Sequence, residues 1–174
     1  MERLWTPWRR AFVEGATDAA SACFLCTAPA ANRDSETFIL YRAQRTFVIL
    51  NLYPYNNGHM LVAPYDHVGD LATMDGPIAA EMMHTVQRCV DALQRVYRPD
   101  GCNVGMNLGK AAGAGVPDHL HMHIVPRWNG DTNFMPVLAR TKVLPESLDQ
   151  TYARLRPIFD EPSPPTLRCA TRGI

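Results

Sequence analysis

The chain has 174 residues, 47% hydrophobic and 20% charged, which suits one globular domain with a real core. It is too apolar for disorder and has no apolar run long enough to cross a bilayer. Lys+Arg 17 against Asp+Glu 17 gives zero formal net charge, so there is no global positive field for a nucleic-acid polymer or an anionic membrane. The first residues, MERLWTPWRRAFVEG, interrupt their apolar positions with charges and prolines, unlike a signal peptide. The expected address is the cytoplasm.

Residues 1–22 read as an N-terminal extension, 23–160 as the domain, and 161–174, a Pro-rich polar stretch, as a flexible tail. Of the five cysteines only Cys23 and Cys26 are close in sequence, and a disulfide framework does not suit a chain of this kind. The pair has half of a zinc ligand set, yet two reduced thiols packed in a pocket remain open. A redox motif fits less well, because no helix pattern begins at Cys26.

Three strand-like runs follow: Thr37–Tyr41, Thr46–Asn51 and His59–Pro64, with Asn56-Asn57-Gly58 as a turn. From Pro77 to Arg98, Ile78, Met82, Val86, Val90, Leu93 and Val96 recur at steps of four or three, predicting an amphipathic helix. His84 falls on this helix as an ordinary surface residue. Two more strands, Cys102–Asn107 and His119–Pro126, flank the loop GKAAGAGVPD, and a short helix is expected over Glu146–Phe159. The pattern is α+β: an antiparallel sheet of about five strands, one long helix packed on it and a short C-terminal helix.

The densest chemistry is His119-Leu-His121-Met-His123-Ile-Val-Pro126. On a strand, alternation would put His119, His121 and His123 on one exposed face and Leu120, Met122 and Ile124 on the other, toward the core. At about 3.4 Å per residue, His119 and His123 would stand roughly 13 Å apart, too far to share one zinc. A pair could hold a metal. Alternatively one imidazole attacks phosphorus while its neighbours bond anionic oxygens. The preceding loop, with Asn107, Gly109, Gly113 and Gly115, lets backbone N–H groups approach an anion, and Lys110 could add charge.

These residues resemble the histidine-triad (HIT) superfamily of nucleotidyl hydrolases and transferases. The resemblance lies in His119-Leu-His121-Met-His123-Ile-Val, in Gly58-His59-Met-Leu-Val-Ala-Pro64 and in Asn107-Leu-Gly109. Glu2-Arg-Leu-Trp-Thr-Pro-Trp-Arg9 and Pro126-Arg-Trp-Asn-Gly-Asp-Thr-Asn-Phe134 look most like the bacterial diadenosine tetraphosphate phosphorylase subgroup. The resemblance implies that His121 attacks the α-phosphorus of a nucleotide and that water or inorganic phosphate releases the product. His123, with His59 as a further donor, would bond phosphate oxygens or the leaving group. Asn51 would hold the ribose, and Asn107 with the Gly113–Gly115 backbone would hold phosphates. A structural zinc on Cys23, Cys26, His67 and His119, a homodimer and no redox cofactor are likewise implied.

The stretch Gly113-Ala-Gly115-Val-Pro-Asp118 lacks the Gln and hydroxyl that many members carry there, so phosphorolysis and hydrolysis stay open. An adenosine phosphoramidate hydrolase, a non-catalytic nucleotide-binding module and a metal-dependent hydrolase are the competing readings. Trp5, Trp8 and Trp128 read as packing anchors.

Overall fold

Cys23 opens a helix. In the computed structural model, which describes residues 23–132 and 144–162, the amides of Cys26 and Thr27 donate to the Cys23 carbonyl at 2.9 and 3.0 Å and start α1 (Phe24–Ala30). At seven residues α1 is too short to show an apolar period, which explains why no helix is expected at Cys26 and corrects that expectation. A single turn, α2 (Asp34–Thr37), follows. The extension expected over 1–22, with Trp5 and Trp8, and the tail beyond residue 162 lie outside the described residues.

Five strands build the sheet: β1 (Ile39–Arg42), β2 (Thr46–Leu50), β3 (Met60–Pro64), β4 (Gly101–Met106) and β5 (Met122–Arg127). Their order is β1-β2-β3-β5-β4, and every neighbouring pair is antiparallel. All residues of β2 and β3 are buried, so these two strands carry apolar side chains on both faces. Leu40, Val48, Leu50, Met60, Val62 and Ile124 pack on one side against α3 (Gly76–Tyr97) and α4 (Leu148–Asp160). Ile39, Phe47, Ile49, Leu61 and Ala63 meet Leu25 of α1 on the other side. Each such fully buried aliphatic side chain contributes on the order of 1.5–3 kcal/mol.

The long helix forms where expected but turns one residue outward. Ile78, Met82, Val86 and Leu93 are buried, whereas Val90 is 37% exposed and Cys89 and Ala92 are buried instead. Each step of four advances the side chain about 40° around the axis, so a run of such steps drifts off the apolar stripe. His84 is exposed on this helix, as expected. α4 starts with a capping box between Ser147 and Gln150. No helix among the described residues is long and apolar enough to cross a membrane.

The turn before β3 is tied down on three sides. Gly58 has φ +80°, and a Cβ there would stand 2.9 Å from the Leu93 side chain of α3. Asn56 donates to the Pro126 carbonyl, and Asn57 to that of Glu146, each at 2.9 Å. These bonds place His59 at the mouth of β3, facing the end of β5.

The histidine segment departs from the expected strand. β5 starts only at Met122, so His119 and His121 lie in the irregular stretch before it. They do not line an exposed face: His119 is 0% and His121 6% exposed. The backbone of this stretch is used elsewhere, with Leu120 N–H donating to the Val68 carbonyl at 2.7 Å. Ile124 does point into the core under α3, and Met122 packs against it.

Candidate functional site

Two groups of side chains meet at the ends of β3 and β5. The first is Cys23, Cys26, His67 and His119, whose ligand atoms all lie within 4.8 Å of one another. Sγ of Cys23 is 3.4 Å from Nδ1 of His119, and Sγ of Cys26 is 3.3 Å from Nδ1 of His67 and 3.4 Å from that of His119. Zinc bonds of about 2.3 Å to sulfur and 2.1 Å to nitrogen, at tetrahedral angles, require S···N separations of about 3.6 Å. The cluster therefore fits a zinc ion with little adjustment. Nε2 of His119 donates to the Pro64 carbonyl at 2.9 Å; a carbonyl only accepts, so the lone pair is on Nδ1, facing the two sulfurs. Burial, and then the adjacent Cys23 sulfur, push the Cys26 thiol up, so it keeps its proton until a bound cation displaces it. These four ligands fill a tetrahedron and leave no open position on it.

The second group is His121, His123 and His59. Nδ1 of His121 is 2.8 Å from the carbonyl of His119. That bond places the proton on Nδ1 and leaves the Nε2 lone pair available for attack. Burial lowers the His121 pKa, opposed by the hydrogen bond to the carbonyl, so the ring is the neutral, nucleophilic form at pH 7. The residue whose backbone orients His121 is thus the one whose side chain joins the cysteine cluster.

The backbone N–H of Tyr55 donates to Nδ1 of His59 at 3.1 Å, which puts the His59 proton on Nε2. That nitrogen donates to Nδ1 of His123 at 2.9 Å, so His123 carries its own proton on Nε2. His59, expected to reach phosphate oxygens itself, is 1% exposed and spends both ring nitrogens on Tyr55 and His123. It backs His123. Burial, then the neighbouring His123 and His121, push His59 down to about 3. The His121 and His123 rings stand 5.0 Å apart.

Asn51 follows β2, and its Nδ2 is 3.3 Å from Nδ1 of His59, while its Oδ1 accepts the Tyr53 N–H at 2.9 Å. Asn107 donates to the Gly113 carbonyl at 3.3 Å and so closes the glycine loop, where Gly109 and Gly113 have φ +78° and +90°. A cavity of about 440 Å³ opens beside His123 along β4 and β5, with Asn107 at one end. Gly113 and Gly115 lie on the loop outside its lining. Three lining residues, Tyr55, Asn103 and Arg127, were not singled out from the sequence, although Asn103, Gly105 and Asn107 alternate along one face of β4.

A HIT domain match covers residues 32–130. The chain belongs to the HIT domain family. Among its relatives, the AP-4-A phosphorylase of Mycobacterium tuberculosis is 38% identical over 157 residues, 87% of this chain and 80% of that protein. Bis(5'-adenosyl)-triphosphatase of Saccharomyces cerevisiae is 33% identical over 91 residues, 52% of this chain and 44% of that one. A Zn-bound histidine triad family protein from Mycobacterium smegmatis superposes with a TM-score of 0.65 at 27% identity, covering 80% of this chain and 94% of that one. The α+β fold expected from the sequence is thus the HIT fold, five antiparallel strands included.

Proposed function

We propose that this HIT protein cleaves a dinucleoside polyphosphate such as diadenosine tetraphosphate, with His121 as the nucleophile. The observation that carries the reading is the bond from His121 Nδ1 to the His119 carbonyl, which frees Nε2 of a neutral, buried imidazole beside a donor, His123. Nε2 attacks the α-phosphorus, and the bridging oxygen departs with the rest of the substrate, here ATP. Nε2–H of His123 stabilises charge on the phosphoryl oxygens or the leaving oxygen. Inorganic phosphate then attacks the phosphorus of the nucleotidyl-His121 intermediate, restores the imidazole and yields ADP. Water in its place would yield AMP. The 38% identity with an AP-4-A phosphorylase over most of the chain supports phosphate as the acceptor, with Gly115 tolerated.

Asn51 holds the ribose, and Asn107 with the Gly113–Gly115 backbone holds phosphates. His59 acts through His123. The Cys23, Cys26, His67 and His119 set would hold zinc as a structural ion. It would supply no reacting group, since its coordination is complete and neither His121 nor His123 belongs to it. This argues against a metal-dependent hydrolase. A homodimer joined through β4 is supported by that strand's place at the sheet edge, with Val104 exposed.

The test follows products from diadenosine tetraphosphate with and without inorganic phosphate, for the wild type and His121→Ala. ADP plus ATP only with phosphate, and at least a thousandfold loss in the variant with its fold intact, is expected. AMP plus ATP without phosphate would make the protein a hydrolase. An absence of turnover by the wild type, with adenosine phosphoramidate also intact, would leave a nucleotide-binding module.

A further inference from the structure

The cavity along β4 and β5 is larger than attack at one phosphorus needs. Its floor is one face of the two strands, with Asn103, Gly105 and Asn107 opposite Val125 and His123 and with Arg127 at the far end. His123 and Arg127 are four residues apart on that face, roughly 13 Å at strand rise. Across from His123 the floor is bare: a Cβ built on Gly105 meets nothing within 4 Å. Any larger residue there would stand in the space next to His123.

The walls suit an anion carrying an aromatic ring. Among the described residues, no carboxylate lines the cavity. Arg127 is held flat by Asp131, at 2.6 Å from Nε and 2.8 Å from Nη2, and by Asn103 Oδ1 at 2.8 Å from Nη1. Its cationic face is therefore preorganised at small entropic cost. Because Asn103 Oδ1 accepts from Arg127, the Asn103 amide presents its NH₂ as a donor. Tyr55, 44% exposed, lies nearly parallel to the His123 ring, 13° between planes at 6.0 Å. Aromatic and guanidinium planes are the usual stacking partners of a base.

We infer that this cavity is the subsite for the leaving nucleotide, with Gly105 and Tyr55 as specificity-determining residues. The triphosphate of departing ATP would run from His123 along the Gly105 floor toward Arg127, and its nucleoside would lie against Tyr55 and the Arg127 plane. This rests on the reading of His121 as nucleophile, which fixes the His123 end of the cavity as the side of the scissile bond. It explains how the site would favour substrates with a second nucleoside over a simple adenylate.

The experiment titrates ATP into protein already saturated with AMP, which occupies the nucleotidyl site, and compares the wild type with Gly105→Val and Tyr55→Leu. Gly105→Val has open space around its Cβ on the cavity face and Tyr55→Leu keeps the backbone donor to His59, and melting curves check both folds. One ATP on the AMP-loaded wild type and at least tenfold weaker binding in each variant is the expected result. No ATP bound beside AMP, or equal affinity in wild type and variants, overturns the subsite. Turnover of diadenosine tetraphosphate is measured in parallel. Its absence in the wild type sinks the nucleophile reading while the titration still decides the subsite, and turnover with unchanged ATP binding sinks the subsite alone.

Discussion

Acid should expose the buried imidazole of His59. Its ring is 1% exposed, and burial pushes it down to about 3, against about 6.5 in the unfolded chain. Because the folded-state value is the lower one, the unfolded chain binds the extra proton between the two. The contribution is complete above pH 6.5 and is lost as pH falls toward 3. At about 1.36 kcal/mol per pH unit, the loss between pH 7.5 and 4.5 is about 2.6 kcal/mol from this one ring. Urea unfolding at pH 7.5, 6.5, 5.5 and 4.5, for the wild type and His59→Gln, isolates it. The variant starts lower, since the bonds to Tyr55 and His123 change, but its stability should fall less steeply. The separation between the two curves should therefore shrink by about 2.6 kcal/mol across that range. Parallel curves would refute the reasoning, since other acid-sensitive groups contribute equally to both proteins.

Loss of the metal centre should be visible without any assay of turnover. Cys26→Ser should bind zinc at least a hundredfold more weakly in chelator competition and melt several degrees lower, while an unchanged zinc content would remove the cluster from consideration. Gly69→Ala would bring a Cβ within 2.9 Å of the Asp118 backbone, beside His119. It should cost about 1–3 kcal/mol and lower kcat more than it raises KM, because the carbonyl that orients His121 shifts with that backbone. A drop in stability with kcat untouched would show that the contact is only packing.

Much of the fold could be read before the structure, because it rests on periodicity. β2, β3 and the long helix begin and end within a residue or two of expectation, and the turn at Asn56-Asn57-Gly58 is where Gly58 needs its positive φ. The histidine spacing was legible too, but strict alternation implied a strand, and only a bent backbone lets His119 turn toward the cysteines while His121 bonds its carbonyl. Nothing local in the sequence encodes that bend. It is imposed by distant partners, the carbonyls of Pro64 and Val68. The role of His59 was invisible for a similar reason, since tautomers follow from which backbone group stands nearby, here the N–H of Tyr55. Arg127 and Asn103 lie 24 residues apart and become neighbours only through β4–β5 pairing.

The contact between Cys23 and His119 spans 96 positions. Joining points so far apart is a non-local event, with a loop-closure cost that must be met before the contact rewards it. The orientation of His121 depends on the same residue, so this arrangement cannot mature from a fragment that lacks either Cys23 or His119. A ribosome must release the segment through His119, and β3 must already be laid down to receive it, before His121 acquires its tautomer. Competence for chemistry would then be among the last properties to appear during folding, and frayed ends of β3 and β5 would silence the site while the helix-backed half of the sheet stayed intact.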